Sequence, residues 1–122
     1  REDILAIGVD AEPDLPLPDG VLKRVASSTE QAWISELSHP EVENLDRLLF
    51  SVKEAIYKAW YPLAQVWLGF EQAEVTIDTD SGQFEAKILV DGPLTGLAGS
   101  FTSEAGVLLA AVEVPNGGGL RS

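Results

Sequence analysis

Leu5, Ile7, Val9 and Ala11 alternate with Ala6, Gly8, Asp10 and Glu12. That period of two predicts a strand over the first ten residues, ended by Pro13 and followed by Pro16, Pro18 and an Asp19-Gly20 turn. A short helical piece follows at Val21 to Ala26. Ser28 and Gln31 have the spacing of a capping box for a second helix that ends near Ser38, before Pro40. The strongest helical signal runs from Glu43 to Trp60, where Leu45, Leu48, Leu49, Val52, Ala55, Ile56 and Ala59 recur on one face and Pro62 limits the far end. After Gly69 the period returns to two. Strands are predicted at Glu74 to Asp80 and Phe84 to Val90, separated by Asp80-Ser81-Gly82, and at Leu97 to Thr102 and Val107 to Val114, separated by Ser103 to Gly106. The pattern predicts an α+β domain, an antiparallel sheet packed on one long helix, over residues 1–114, with residues 115–122 a Gly-rich flexible tail.

Composition narrows the function classes. One compact domain suits 122 residues, and 45% hydrophobic with 23% charged residues is globular rather than disordered. The longest apolar run, Val107 to Val112, is too short to span a bilayer, and no secretory leader opens the chain, so a cytoplasmic protein is expected. With no Cys, thiol nucleophiles and Cys-based zinc sites are excluded. A net charge of −12 repels phosphate backbones and argues against nucleic-acid binding. The single His, His39, precedes Pro40 in a polar stretch and reads as an exposed loop residue.

Two places could carry chemistry. Asp10 and Glu12 leave the same face of the first strand, roughly 6–7 Å apart along it, with Gly8 on that face leaving room for a neighbouring backbone or a ligand. Paired carboxylates repel unless a cation or proton lies between them, and Mg²⁺ prefers one or two carboxylates with phosphate and water oxygens completing its shell. A solvated acidic pair in an acidic chain is the alternative. On the long helix, Arg47, Phe50, Glu54, Tyr57, Lys58 and Tyr61 share a stripe about 100° wide, opposite the aliphatic face. Glu54 and Lys58 form an ordinary i,i+4 pair, but three aromatics between charges suit a surface that something covers.

Ile7-Gly8-Val9-Asp10-Ala11-Glu12 and Phe50-Ser51-Val52-Lys53-Glu54-Ala55-Ile56-Tyr57-Lys58 resemble the two signature motifs of the 4′-phosphopantetheinyl transferases. Lys58 to Leu63 and Trp67-Leu68-Gly69-Phe70 are similar to the actinobacterial Sfp-type branch, and the likeness runs from Leu5 to Val114. The resemblance implies transfer of the phosphopantetheine arm of coenzyme A to a serine of an acyl or peptidyl carrier protein, releasing 3′,5′-ADP. It implies Asp10, Glu12 and Glu54 as Mg²⁺ ligands, Lys58 beside the phosphates, Lys53 close to the coenzyme, and Glu54 as a base for the serine proton. Such chemistry needs positive charge on the pyrophosphate oxygens more than it needs proton transfer.

Sfp-type enzymes are pseudo-dimers with coenzyme A between two halves, and this chain resembles the second, C-terminal half. The basic residues that grip the adenine and 3′-phosphate have no match here, so an N-terminal half is implied as a partner, lying against the aromatic stripe. Lys23, Arg24 and the Trp60–Trp67 region are candidate carrier contacts. The related AcpS-type enzymes are single domains that assemble as trimers, with a His in a C-terminal strand; Leu97 to Val114 holds none. A third reading is a non-catalytic acidic module that binds a protein through its aromatic stripe.

Overall fold

A computed structural model of the protein describes residues 4–115; the Gly-rich segment expected to be a tail lies outside them, save that Pro115 ends a strand. The elements are β1 (Ile4–Pro13), α1 (Val21–Val25), α2 (Ser28–Ile34), α3 (Leu45–Ala64), a 3₁₀ turn (Phe70–Gln72), β2 (Ala73–Asp78), β3 (Gln83–Ile88), β4 (Gly96–Glu104) and β5 (Val107–Pro115). The strands form one antiparallel sheet in the order β1-β5-β4-β3-β2. β2 to β5 follow as hairpins, and β1 closes the row beside β5, placing Asp10 opposite Ala110 and Glu12 opposite Leu108. The β4–β5 turn, Ala105-Gly106, has both residues at positive φ (55° and 78°), the backbone that matches strand twist in a tight hairpin.

The aliphatic face of α3 buries Leu48, Leu49, Val52, Ala55, Ile56, Ala59 and Trp60 completely against Val75, Phe84, Leu108 and Val112 of the sheet. α3 lies over β1 and β5. Gly8 makes that approach possible: a methyl group there would collide with the Ala55 carbonyl and the Ala59 amide. The room at Gly8 is therefore taken by the backbone of α3. The other face of the sheet is open at the β1/β5 end, where Ile7, Val9, Val107 and Leu109 are exposed.

Several boundaries differ from the sequence pattern for identifiable reasons. Pro62 lies inside the last turn of α3, which runs on to Ala64. A proline there removes one hydrogen bond only, and the helix ends where Gln65 turns left-handed (φ 59°) with its N–H on the Tyr61 carbonyl. The capping box of α2 is Ser27 with Glu30, one residue earlier than the Ser28–Gln31 spacing. The Ser27 hydroxyl accepts from the Glu30 N–H at 3.1 Å, and Glu30 Oε1 from the Ser27 N–H at 2.9 Å. α2 ends at Ile34, short of Ser38. β3 ends at Ile88, where the chain turns to bond Thr95, rather than at Val90. His39 is half-buried, not exposed: its ring meets Phe101 edge-on at 5.7 Å and Nδ1 accepts from the Glu41 N–H at 3.0 Å. Among the described residues, no helix is long and apolar enough to cross a membrane.

Candidate active site

Because Asp10 and Glu12 share the helix-facing side of β1, they lie beneath the charged stripe of α3. Asp10 is only 7% exposed. Its Oδ1 accepts from Lys58 Nζ at 3.1 Å, and the same ammonium donates to the Val9 carbonyl at 3.1 Å. Ser51, buried and two residues before Lys53 in the second motif, donates its hydroxyl to the Asp10 carbonyl at 3.3 Å. Arg47 Nη1 meets Glu12 Oε1 at 3.1 Å, while its Nε and Nη2 donate to the carbonyls of Leu15 and Pro16 at 3.0 and 2.9 Å. The start of α3 is held by Asp14, whose carboxylate accepts from the N–H groups of Glu43 and Asn44, both at 2.8 Å.

The electrostatics of this corner are unbalanced. Among the described residues Asp10 Oδ2 is buried with no hydrogen-bond partner, a costly state for a carboxylate oxygen. Burial and the neighbouring Asp10 carboxylate raise the Glu12 pKa, against the pull of Arg47. Burial and then the Asp10 charge raise that of Glu54, against the pull of Lys58. Glu12 and Glu54 thus both feel the Asp10 charge. Among the described residues, no three His, Asp or Glu side chains converge closely enough to hold a metal as they stand. The donor set nonetheless fits a hard divalent cation, which would give Oδ2 of Asp10 a partner and relieve the repulsion on both glutamates.

Lys53 stands apart from this group. It is 3% exposed and donates all three N–H bonds inside the protein, to Glu30 Oε1 at 2.7 Å and to the carbonyls of Val25 and Phe70, both at 2.8 Å. Glu30, fully buried, completes its own set by accepting from the Val75 N–H of β2 at 2.6 Å. Glu30 is not among the site residues that the sequence pattern suggests. The one available signal was the Ser-x-x-Glu spacing from Ser27, which fixes its place on α2 but not the orientation of its carboxylate.

The aromatic stripe is covered in part by the chain itself. Phe50 packs on Phe70 (ring centroids 5.8 Å apart), and Tyr57 on Trp67 (4.8 Å), both half-buried. Tyr61 and Trp67 remain 43% and 71% exposed, whereas Trp60 is fully buried with its indole N–H on the Val66 carbonyl. Trp60 therefore offers no surface to a carrier. Glu54, Tyr57, Trp67, Gly69 and Phe70 line a cleft of about 90 Å³.

Residues 6–105 match the family described as the 4′-phosphopantetheinyl transferase superfamily. The chain belongs to that superfamily. It is 43% identical over 120 residues to the 4′-phosphopantetheinyl transferase Svp of Streptomyces mobaraensis, covering 92% of this chain and 48% of that protein. With PptT of Mycobacterium tuberculosis it shares 43% identity over 122 residues, covering 92% and 53%, and with Npt of Nocardia iowensis 40% over 121 residues, covering 88% and 54%. The actinobacterial resemblance of the two motifs is thus met over nearly all of the chain. The chain spans about half the length of these curated relatives. The α+β sheet-and-helix fold is consistent with half of such a transferase.

Proposed function

We propose that residues 1–114 form the C-terminal half of an Sfp-type transferase that moves 4′-phosphopantetheine from coenzyme A to a serine of an apo acyl or peptidyl carrier protein. The observation that carries this reading is the acidic corner: a buried Asp10 oxygen with no partner among the described residues, beside two glutamates whose pKa values burial and the Asp10 charge raise, with Lys58 on Asp10, on the two family motifs. Coverage of only half of each relative favours a half-chain over a single-domain trimer.

Asp10, Glu12 and Glu54 would hold Mg²⁺. When bound, the cation neutralises charge gathering on the pyrophosphate oxygens. In the reaction the serine oxygen bonds to phosphorus, the pyrophosphate P–O bond breaks, and 3′,5′-ADP leaves with the electron pair. Lys58, half-exposed on Asp10, would turn to a phosphate oxygen and follow its charge through the transition state. Glu54, whose carboxyl titrates above its ordinary value of 4.5, is the candidate acceptor of the serine proton, directly or through water. Lys23 and Arg24, exposed on α1, and Val66 and Trp67 remain the candidate carrier contacts in an otherwise acidic surface. The N-terminal half would supply the basic grip on the coenzyme's adenine and 3′-phosphate. Coenzyme A is a cytoplasmic metabolite, and the reaction is assigned to that compartment.

The test is release of 3′,5′-ADP from coenzyme A by the full-length protein with an apo carrier, followed chromatographically at varied Mg²⁺. Asp10→Asn and Lys58→Ala are each expected to lower turnover by about a hundredfold or more, in line with lost charge stabilisation of a transition state. Turnover unchanged in both, or independent of Mg²⁺, would overturn the reading.

A further inference from the structure

Lys53 is the one cation of the second motif whose ammonium points away from the acidic corner, and what holds it is unusual. Lys53 and Glu30 form an ion pair at 2.7 Å with side chains 2% and 0% exposed. Burying two charges costs several kcal/mol per ion, and such pairs are commonly no more stable than apolar residues of the same volume. Stability alone is a poor reason for this one. Its connections suggest another. Lys53, on α3, reaches the last residue of α1 through Val25 and the 3₁₀ turn through Phe70; Glu30, on α2, reaches β2 through Val75. Five elements meet at one pair, and the next residue on α3 is Glu54.

The bond from Lys53 to the Phe70 carbonyl also draws the Trp67–Phe70 segment onto α3, where Trp67 packs on Tyr57 and Glu54 forms one wall of the cleft. A fixed fork of directional bonds sets both the rotation of α3 about its axis and the height of that segment. Apolar packing at the same point would leave both softer.

We infer that Glu30 and Lys53 are positioning residues of the transferase: their buried ion pair fixes α3 and the Trp67–Phe70 segment so that Glu54 stays aligned with Asp10. The inference rests on the function proposed above and gives Lys53 a role that requires no direct contact with coenzyme A.

The test uses the full-length protein and compares wild type, Glu54→Gln, the neutral pair Glu30→Gln/Lys53→Met, and Lys53→Arg. The neutral pair leaves no lone buried charge, so it is expected to fold. Two properties are read: kcat and KM for transfer, and binding of Mn²⁺, in place of Mg²⁺, by electron paramagnetic resonance without coenzyme. The expected result for the folded neutral pair is a tenfold or larger fall in kcat, KM for coenzyme A within threefold, and Mn²⁺ affinity at least fivefold weaker. Lys53→Arg, which keeps the charge, is expected to recover most of the Mn²⁺ affinity. A folded neutral pair with kcat and Mn²⁺ affinity within twofold of wild type would overturn the inference. Should the neutral pair not fold, Lys53→Arg decides. With Tm unchanged, a partial fall in kcat at constant KM is expected, whereas weaker coenzyme binding at constant kcat would mean direct contact and overturn the inference. Transfer that survives Glu54→Gln would sink the site assignment itself, separately from the positioning role.

Discussion

At the scale of single residues, the acidic corner costs stability at neutral pH. In the metal-free fold Glu12 and Glu54 hold their protons more tightly than in the unfolded chain, because burial and the Asp10 charge disfavour ionisation. Between the ordinary value of 4.5 and the raised values, the folded state therefore binds more protons than the unfolded state, and stability falls as pH rises through that window. Below 4.5 the penalty is absent. Glu54→Gln removes its share. The variant is expected to match or exceed the wild-type Tm at neutral pH, to converge with it in acid, and to lose Mg²⁺-dependent transfer; thermal melts across pH check the first two. A variant clearly less stable at neutral pH would contradict the account of Glu54. Gly8 makes a steric demand of a different kind. Gly8→Ala must push a methyl into the backbone of α3 at Ala55 and Ala59, and a loss of about 3 kcal/mol in urea unfolding is expected. Strand and helix periodicity put Asp10, Glu12, Glu54 and Lys58 each on a definite face, while the roles proposed for them come from the family resemblance. Glu30 was not legible in sequence, since its meaning depends on Lys53, 23 residues away, and on a β2 amide.

At the scale of elements, long periodic runs read true and terminations did not. Eighteen residues of helical spacing identify α3, yet Pro62 does not end it, because so near the C-terminus a proline costs only the single bond to the Lys58 carbonyl. The Ser27–Glu30 capping box shows the same weakness: two serines in a row allow two frames, and the buried Glu30–Lys53 pair selects the earlier one. Ser27→Ala removes the acceptor for the Glu30 N–H and the bond to Glu74 at 3.0 Å. A cost of about 1 kcal/mol is expected in denaturant unfolding, with Ser28→Ala nearly neutral. Equal costs at both positions would contradict the assigned frame. The aromatic stripe was legible as a surface needing cover. That the Trp67–Phe70 segment supplies part of the cover was not, because loop paths carry no periodicity.

At the scale of the molecule, the sheet leaves an apolar strip on its outer face, with Ile7 55%, Val9 45%, Val107 46% and Leu109 41% exposed. Strips of this kind drive association when uncovered. The isolated 122-residue chain is expected to self-associate in light scattering, and Val9→Lys with Leu109→Lys to reduce it; a monodisperse wild-type monomer would contradict this. The central claim is that the corner of Asp10, Glu12 and Glu54 serves phosphopantetheine transfer, and the mass of the carrier tests it most directly. Full-length protein, coenzyme A, Mg²⁺ and an apo carrier are incubated beside the Glu54→Gln variant, and the carrier is weighed. The account predicts a phosphopantetheine-sized gain that needs both Mg²⁺ and Glu54. A carrier left unmodified by the folded wild-type protein, or modified equally by the variant, would contradict it.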